Sequence, residues 1–452
     1  MTNDEIQIAK ETRLTKLQWR LSPRRSRSSF VLRHSFVLWI SSLVIFLTAF
    51  VASGQTSAKK PPIGAEDFQP NIPLVFLEAK QPIVSELKVP CASKINYPKG
   101  SDSTNTSPLP GVVRFHGATS QGYPKKSFGV TLDAPASLAG MRASAHWVLQ
   151  AAYVDRSLMR HKLSYDLFRS LSATNASRYA SGSRFVEVYL NGSYHGVYLL
   201  MERVDRQLFG LRPFNSNDVT HACIYKAVDH VANFHIGGHA GYEQREPDPL
   251  AGEYWRPLDE FSRFVSSAPN AAFFHPQTGI ASRLDLDNAI DFHLLVLLTS
   301  NMDGSDKNFI FARNDEPPGS PNRKFFFAPW DYDATFGRNW EASPVAATEW
   351  LSNHLFNRLL ANTEYRARFV ARWKQLRDHE FSAKTIQSMI DANARTLGDA
   401  ARRNATRWPT ATGYYPDQLT FAEDLAQMKS WIEARIKWLD RQILQSLGNS
   451  DK

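Results

Sequence analysis

Acidic and amide side chains recur in two short stretches of the second half of the chain. The first, N-M-D-G-S-D-K-N-F, holds Asp303 and Asn308 and follows an apolar run that starts at Asp291. The second, F-A-P-W-D-Y-D, places Asp331 and Asp333 directly after a hydrophobic run. Carboxylate and amide oxygens are ligands that Mg²⁺ prefers, and Mg²⁺ commonly binds together with phosphates. The pair of stretches predicts a magnesium and phosphate site, whereas Asp303–Asn308 alone is equally typical of a polar turn between buried elements.

The order of these groups is the order that protein kinases use for phosphoryl transfer. There an Asp receives the proton of the acceptor hydroxyl, an Asn five positions later binds Mg²⁺, and a further Asp binds Mg²⁺ after a short strand pair. Asp303, Asn308 and Asp331 follow the same order. The motif D-x-x-x-x-N is weak by itself, and it gains weight only if the elements around it place the three groups at one cleft.

Those elements change in character along the chain. Alternating apolar residues predict strands at 72–77, 111–115 and 127–132, and a helix follows at 159–168. The clearest element is 185–202, where two apolar runs flank Asn191-Gly192. Asn-Gly accepts positive φ at both positions, so this segment predicts a β-hairpin.

The second half is mainly helical. It reads as a buried helix at 289–300, a strand at 309–311, another strand at 324–329, and amphipathic segments near 350–378, 384–400 and 420–446. We therefore expect an α+β fold with two lobes and a cleft between them. The predicted domain covers 71–445, with a β-rich N-terminal lobe at about 71–225 and a mainly helical C-terminal lobe at about 285–445.

The N-terminal end predicts export. Residues 1–35 form a basic tail with eight Lys/Arg and three Asp/Glu, and residues 36–54 then carry no charge for nineteen positions. That length just spans a bilayer, and the preceding arginines place the N-terminus in the cytoplasm. A cleaved signal peptide and an uncleaved signal anchor both fit this pattern. Residues 55–70 look like a linker, so the remainder is expected to be secreted or periplasmic, or anchored through 36–54 with an extracytoplasmic domain.

Charge and cysteine content exclude some function classes. The net charge is +9, of which +5 lies in residues 1–35, and no basic stripe is interleaved with aromatics, so we expect no nucleic-acid partner. Cys91 and Cys223 are the two cysteines, and the sequence leaves open whether they pair. His230, His235 and His239 have no metal-ligand spacing and are interpreted as loop residues.

Several separate motifs in one order resemble the CotH kinase family of atypical secreted kinases, over roughly residues 72–442. They are V-R-F-H-G-A-T-S-Q-G-Y-P-K-K-S-F (112–127), W-V-L-Q-A-A-Y-V-D-R-S-L-M-R-H-K-L-S-Y-D-L (147–167), V-E-V-Y-L-N-G-S-Y-H-G-V-Y-L-L-M-E (186–202), M-D-G-S-D-K-N-F (302–309) and F-A-P-W-D-Y-D (327–333). The resemblance implies a protein-kinase-like fold, with ATP and Mg²⁺ as cofactors and Ser/Thr hydroxyls of proteins as acceptors.

The resemblance also implies roles for residues. Asp303 would orient the acceptor hydroxyl, and Asn308 and Asp331 would bind Mg²⁺, with Asp333 supporting the metal. Either Lys125 or Lys126 would neutralise phosphates, and the small residues alternating with Lys125 favour it slightly.

Two further residues have a functional and an ordinary interpretation. Arg160 is a second candidate for phosphate, or else an exposed helix charge. Glu202 lies where a kinase would reach the adenine, or else is a surface carboxylate.

Two other function classes compete with the kinase. The run K-F-F-F-A-P-W-D-Y-D-A-T resembles the D-x-D-x-T strand end of haloacid-dehalogenase-type phosphatases, in which Asp331 would be the nucleophile. That fold alternates strands and helices after the motif, whereas this sequence is helical beyond Gly337. The other alternative is a non-catalytic surface adhesion or assembly module that keeps the kinase-like shape.

Overall fold

Seven strands in the N-terminal part of the described chain close into a barrel in the order β1-β2-β3-β4-β5-β7-β6. β1 pairs antiparallel with β2 and parallel with β6, and the parallel pairing closes the barrel. Buried and more exposed residues alternate along β2, which is the pattern of a strand with one face in a core. The barrel strands are β1 (Leu74–Ala79), β2 (Val89–Asn96), β3 (Leu109–His116), β4 (Ser127–Ala136), β5 (Ser144–Gln150), β6 (Ser183–Leu190) and β7 (Ser193–Glu202).

The predicted hairpin is confirmed. β6 and β7 are antiparallel neighbours, and Asn191 and Gly192 between them have φ values of 48° and 75°. Positive φ at both central residues is the requirement of a type I′ turn, which matches the right-handed twist of the strands.

A second sheet of four strands has the order β11-β10-β8-β9. Its strands are β8 (Cys223–Ala227), β9 (Tyr242–Glu246), β10 (Phe309–Arg313) and β11 (Phe326–Pro329). β10 and β11 were expected, but β8 and β9 were not, because they are only five residues long and lie in a Gly-rich, His-rich region. The pairing of β8 with β10 joins two parts of this sheet that are far apart in sequence.

Helices dominate the C-terminal part, as expected. Nine α-helices occur in the described residues: α1 (Arg160–Ser170), α2 (Arg256–Ser267), α3 (Asn270–Phe273), α4 (Leu286–Thr299), α5 (His354–Leu360), α6 (Thr363–Asp378), α7 (Ala383–Leu397), α8 (Asp399–Arg407) and α9 (Phe421–Asp440), the last continued by a π-helical turn at Arg441–Leu447. Helices α2, α3 and α8 were not predicted from the sequence.

Helix α4 lies at the centre of the largest hydrophobic core. Every residue from Asn288 to Thr299 is buried, and the Asp285 side chain caps the N-terminus by accepting from the N–H groups of Asp287 and Asn288. A helix that is apolar around its whole circumference must be covered on all sides by other elements. α4 packs against α1, α6, α9 and β11, so its C-terminal end has a well-defined position.

This computed structural model describes residues 70–172, 178–218, 220–317, 320, 323–410 and 415–447, all within one compact unit, Gly64–Lys452. The predicted basic tail (1–35), signal or anchor segment (36–54) and linker (55–70, apart from Pro70) lie outside the described residues. Within the described residues, no helix combines the length and apolarity needed to cross a membrane. The fold is thus α+β, with a β-rich N-terminal part and a helical C-terminal part; the kinase-like lobe boundaries stay a prediction.

Candidate active site

The predicted acidic turn begins where α4 ends. Ser300 takes a left-handed conformation with φ of 51°, which stops the helix. The Asp303 carbonyl then accepts hydrogen bonds from the N–H groups of Asp306 (3.1 Å) and Lys307 (2.8 Å). The buried helix thus fixes one end of a tight turn, and β10 fixes the other at Phe309.

A lysine and a histidine side chain lie beside the Asp303 carboxylate. The Lys307 ammonium lies 3.1 Å from Oδ2, and the His230 ring Nε2 lies 3.6 Å from Oδ1. Asp303 is partly accessible, with 17% of its side chain exposed, so an incoming hydroxyl can reach it. Neither neighbour was singled out as a partner of Asp303 from the sequence.

Asn308 and Asp331 are joined through the backbone of the sheet. Asn308 donates its N–H to the Ala227 carbonyl (3.1 Å), and its own carbonyl accepts from Trp330 N–H (3.2 Å). The Asp331 N–H donates to the Tyr165 hydroxyl at 3.2 Å. The pairing of β8, β10 and β11 therefore sets the separation of the two predicted metal ligands.

Both of these residues have left-handed backbones, with φ of 57° at Asn308 and 59° at Asp331. A non-glycine residue pays roughly 1–2 kcal/mol for this conformation, and such residues concentrate at functional sites. Asn and Asp are among the few non-glycine residues that accept this conformation, so the backbone restricts which residue types can occupy these two positions.

The carboxyl groups after β11 lie in a crowded cleft. The Asp331 side chain touches water, yet the surrounding protein removes much of its solvation and raises its pKa; Lys226 and Lys307 oppose this shift and the Asp303 charge adds to it. Burial raises the pKa of Asp333 well above its usual value, and the charges of Asp331 and Asp155 raise it further. Like charges held together with few counter-ions form a place where a divalent cation would be stabilised.

The oxygen donors that the protein supplies at this cleft would need further ligands to complete the coordination of Mg²⁺. No group of three or more His, Cys, Asp or Glu within the described residues is arranged to hold a metal ion. Asn308 would contribute an amide oxygen, and Asn is not one of those four residue types. Mg²⁺ usually keeps several waters and binds phosphate oxygens in addition to one or two carboxylates. The donor chemistry of Asn308 and Asp331 fits a metal brought in with a phosphate ligand.

The structure holds Lys125 away from bulk water. Its Nζ donates to the carbonyl oxygens of Ala151 (2.7 Å) and Val197 and to Asn404 Oδ1 (3.0 Å), and burial lowers its pKa well below the usual value. Its ammonium also lies 4.5 Å from the ring centroid of Tyr198. The space expected for a nucleotide beside Lys125 is thus occupied by Asn404 of α8.

Lys126 and the loop after β3 form a separate local arrangement. Lys126 Nζ donates to the Gln121 carbonyl, and Gln121 Nε2 donates to the Gly117 carbonyl at 2.6 Å. The loop ends at Tyr123, whose pKa is raised by burial and by the charge of Asp333. The loop lies beside the acidic cleft, but the cations that act on Asp331 are Lys226 and Lys307, and neither Lys125 nor Lys126 is among them. A phosphate role for either of these two lysines stays a prediction.

Arg160 is fully buried, so its interpretation as an exposed helix charge is wrong. Its guanidinium pairs with Asp155 (2.6 Å) and Asp424 (2.7 Å), and its Nε donates to the Thr335 carbonyl at 3.0 Å. Its charge is already matched by two carboxylates, so Arg160 ties α1 to α9 and to the segment after Asp333. Its role toward phosphate stays a prediction.

Glu202 is also buried, so the surface-carboxylate interpretation is wrong. Its Oε2 accepts from Gly182 N–H at 2.7 Å, and Oε1 lies 3.2 Å from Arg142 Nε. A depression of about 500 Å³ is lined by this carboxylate together with Arg169, Arg178 and other residues. Contact with adenine stays a prediction, and the position of Glu202 at the end of β7 is as expected.

Four residues at the site were missed from the sequence: Lys226, Lys307, Tyr165 and His230, which was interpreted as a loop residue. Lys307 sits inside the quoted motif, and its spacing of four from Asp303 was an available signal. Lys226 lies in an unpredicted strand, and Tyr165 lies in α1, 166 residues before its partner Asp331. No local pattern could have joined Lys226 or Tyr165 to the site.

The cysteines and loop histidines have simple surroundings. Cys91 and Cys223 are both free and buried, in β2 and β8 respectively. His239 Nδ1 lies 2.8 Å from Asp259, and the His235 ring packs edge-on to His354.

The part of the chain that contains most of the barrel, the second sheet and the acidic turn is similar to known proteins. The family described as CotH kinase protein matches residues 113–439, so the chain belongs to that family. A curated relative is the inner spore coat protein H of Bacillus subtilis (strain 168). It is 28% identical over 340 residues, which cover 71% of this chain and 83% of the relative.

Proposed function

We propose that the protein is a Mg²⁺-dependent kinase that transfers the γ-phosphoryl group of ATP to Ser or Thr hydroxyls of exported proteins. One observation carries the proposal: the pairing of β10 with β11 brings the turn that holds Asp303 and Asn308 to the strand end before Asp331, and the charge of Asp303 acts on Asp331. Asn308 lies between them in the chain and is hydrogen-bonded to the residue before Asp331. Membership in a family named for kinase proteins supports the same reaction class.

Each residue has a defined task in this reaction. Asp303, held between Lys307 and His230, orients the acceptor hydroxyl and receives its proton as the oxygen attacks the γ-phosphorus. The oxygen–phosphorus bond to ADP breaks in the same transfer, and ADP leaves. Asn308 and Asp331 would hold Mg²⁺, with Asp333 behind them, and the ion would neutralise phosphate charge.

The competing phosphatase lacks support in the later chain. That fold needs further strands after its D-x-D motif, and within the described residues no strand follows β11. The relative's name refers to the spore coat, which favours an exported or surface-associated protein. We also propose that residues 36–54, if they are not cleaved, anchor the protein in the membrane.

The test is incorporation of γ-phosphate from ATP into the protein itself or into added protein acceptors. We expect Mg²⁺-dependent incorporation by the wild type, its loss in Asp331→Asn, and slow turnover with retained nucleotide binding in Asp303→Asn. Asp391→Asn is the matched control, because Asp391 pairs with Lys429 at a surface away from these residues. Nucleotide binding without transfer would favour the non-catalytic module, and release of free phosphate from aryl phosphates would revive the phosphatase.

A further inference from the structure

The charges of four cationic side chains act on His116 at the end of β3. Burial and the charges of Lys226, Arg114, Arg203 and Arg245 lower the pKa of His116 to about 4. Arg114 belongs to the barrel, Arg203 directly follows β7, and Lys226 and Arg245 belong to β8 and β9 of the second sheet. The cluster therefore spans the place where the barrel and the second sheet face each other.

Strand register relates Lys226 to the predicted metal ligands. Lys226 is opposite Ile310 in β10, and Ile310 is opposite Ala328 in β11, so the three form one row across the sheet. Trp330 lies two residues after Ala328, just beyond the end of β11, and Lys226 Nζ is 4.7 Å from the centroid of its indole ring. Asp331 is the next residue, which puts the lysine at the edge of the candidate active site.

Few of these cations are held in ion pairs. Arg245 pairs with Glu243, but within the described residues no ion pair is formed by Lys226, Arg114 or Arg203. The pKa of Arg203 is lowered by partial desolvation and by Arg245, and the acids Asp205 and Asp248 only partly offset this. Lys226 is partly buried, whereas Arg114, Arg203 and Arg245 are exposed. Cations held near one another repel, and a multiply charged anion relieves that repulsion while gaining charge-assisted hydrogen bonds.

We propose that Lys226, supported by Arg114, Arg203 and Arg245, binds the polyphosphate chain of the nucleotide beside Asp331. This inference rests on the proposed kinase function, and it assigns the phosphate contact to a β8 lysine outside the barrel. A polyphosphate fits because one end of it can reach a metal at Asn308 and Asp331 while its remaining charge meets the cations of both sheets. Lys307 already pairs with Asp303, so we assign it to the acceptor hydroxyl and not to the polyphosphate.

The experiment compares binding of ATP with Mg²⁺, inorganic tripolyphosphate and adenosine by calorimetry at low salt. The variants are Lys226→Met, Lys226→Arg, Lys125→Met for the rival assignment, and Lys429→Met as the control. Lys429 is a half-buried lysine paired with Asp391, so its replacement removes a similar charge elsewhere. We expect Lys226→Met to weaken ATP and tripolyphosphate binding about ten-fold or more. Adenosine binding should stay unchanged, Lys226→Arg should keep most of the affinity, and Lys429→Met should match the wild type.

The outcomes distinguish a failure of the Lys226 assignment from a failure of the proposed kinase function. If Lys226→Met binds ATP like the wild type while folded Lys125→Met does not, the inference is overturned and the kinase stands. If the wild type binds tripolyphosphate through Lys226 but neither binds nor turns over ATP, the anion site stands and the kinase proposal fails. If the wild type binds neither ligand, both are overturned.

Discussion

At the scale of single residues, the left-handed backbone of Asp331 is held by two side chains. Its N–H donates to the Tyr165 hydroxyl, and its carbonyl accepts from Asn301 Nδ2 at 3.3 Å. Without these partners the strained conformation would relax and the carboxylate would turn away from Asn308. Tyr165 is therefore a positioning residue for the predicted metal ligand.

Tyr165→Phe should lower phosphoryl transfer about ten-fold, because losing a buried hydrogen bond of roughly 1–2 kcal/mol lets Asp331 leave its position. The measurement is kcat as a function of Mg²⁺ concentration, and we expect the Mg²⁺ dependence to shift to higher concentrations. Tyr365→Phe is the control, since the Tyr365 hydroxyl is buried without a hydrogen-bond partner in the described residues. An unchanged Mg²⁺ dependence in Tyr165→Phe would remove Tyr165 from the site.

His161 makes stability depend on pH. It is buried, neither ring nitrogen has a hydrogen-bond partner in the described residues, and burial lowers its pKa to about 3. Between this value and the ordinary pKa of about 6.5, the unfolded chain binds the proton that the folded chain excludes, so stability falls as pH falls through that window.

His161→Phe should remove this dependence while keeping the ring packed against Tyr165, whose centroid is 4.4 Å away. Relative to the wild type, the variant should gain about 2 kcal/mol in unfolding free energy on going from pH 7.5 to pH 5. Urea unfolding at the two pH values measures the gain. An equal difference between variant and wild type at both pH values would contradict it.

At the scale of elements, side chains of α8 connect the helical part of the protein to the barrel. Arg403 forms a two-pronged contact with the fully buried Glu187 of β6 (2.8 and 2.6 Å). Asn404 Oδ1 accepts from Lys125 Nζ and from Val197 N–H, both at 3.0 Å. This helix therefore decides the surroundings of the lysine that the sequence favoured for phosphate.

Arg403→Met should destabilise the protein by about 3 kcal/mol or more, because it leaves the buried Glu187 carboxylate without its cation. Arg402→Met is the control: the neighbouring Arg402 is 75% exposed, and its pair with Asp399 lies in solvent. Unfolding free energies in urea measure both. Adding Glu187→Gln to Arg403→Met should recover part of the lost unfolding free energy. Equal destabilisation by Arg403→Met and Arg402→Met would show that the pair of Arg403 with Glu187 does not stabilise the protein.

At the scale of the whole molecule, the site is assembled from four parts. Asp303 follows the buried helix α4, Asp331 follows β11, Lys226 comes from β8, and Tyr165 comes from α1. A ligand that contacts groups on all four parts stabilises the folded chain as a unit, since the unfolded chain offers no such site.

ATP with Mg²⁺ should therefore raise the unfolding temperature. At one hundred times the dissociation constant, the expected stabilisation is about 2.7 kcal/mol, which is several degrees for a domain of this size. Thermal denaturation with ATP and Mg²⁺, with ATP and a chelator, and with Asp331→Asn gives the comparison. A shift of the same size in Asp331→Asn would show that the nucleotide binds elsewhere.

The sequence by itself determined the features that are encoded locally. Asn191-Gly192 specified its turn because few residues other than Gly, Asn and Asp accept positive φ. The continuous apolar run of α4 predicted a buried helix, and the strand entering Asp331 predicted an acid at a sheet end. The acidic turn needed both its own spacing and the family motifs around it before its function could be inferred.

Only the tertiary structure decided which distant groups meet. The parallel pairing of β1 with β6 joins residues more than a hundred positions apart, and β8 pairs with β10 across more than eighty positions. Those pairings place Lys226 beside Asp331 and enclose Lys125 under α8, although strand alternation alone favoured Lys125. The physical reason is that burial and pairing of a charge depend on long-range packing, whereas turn and helix preferences depend on a residue and its immediate neighbours.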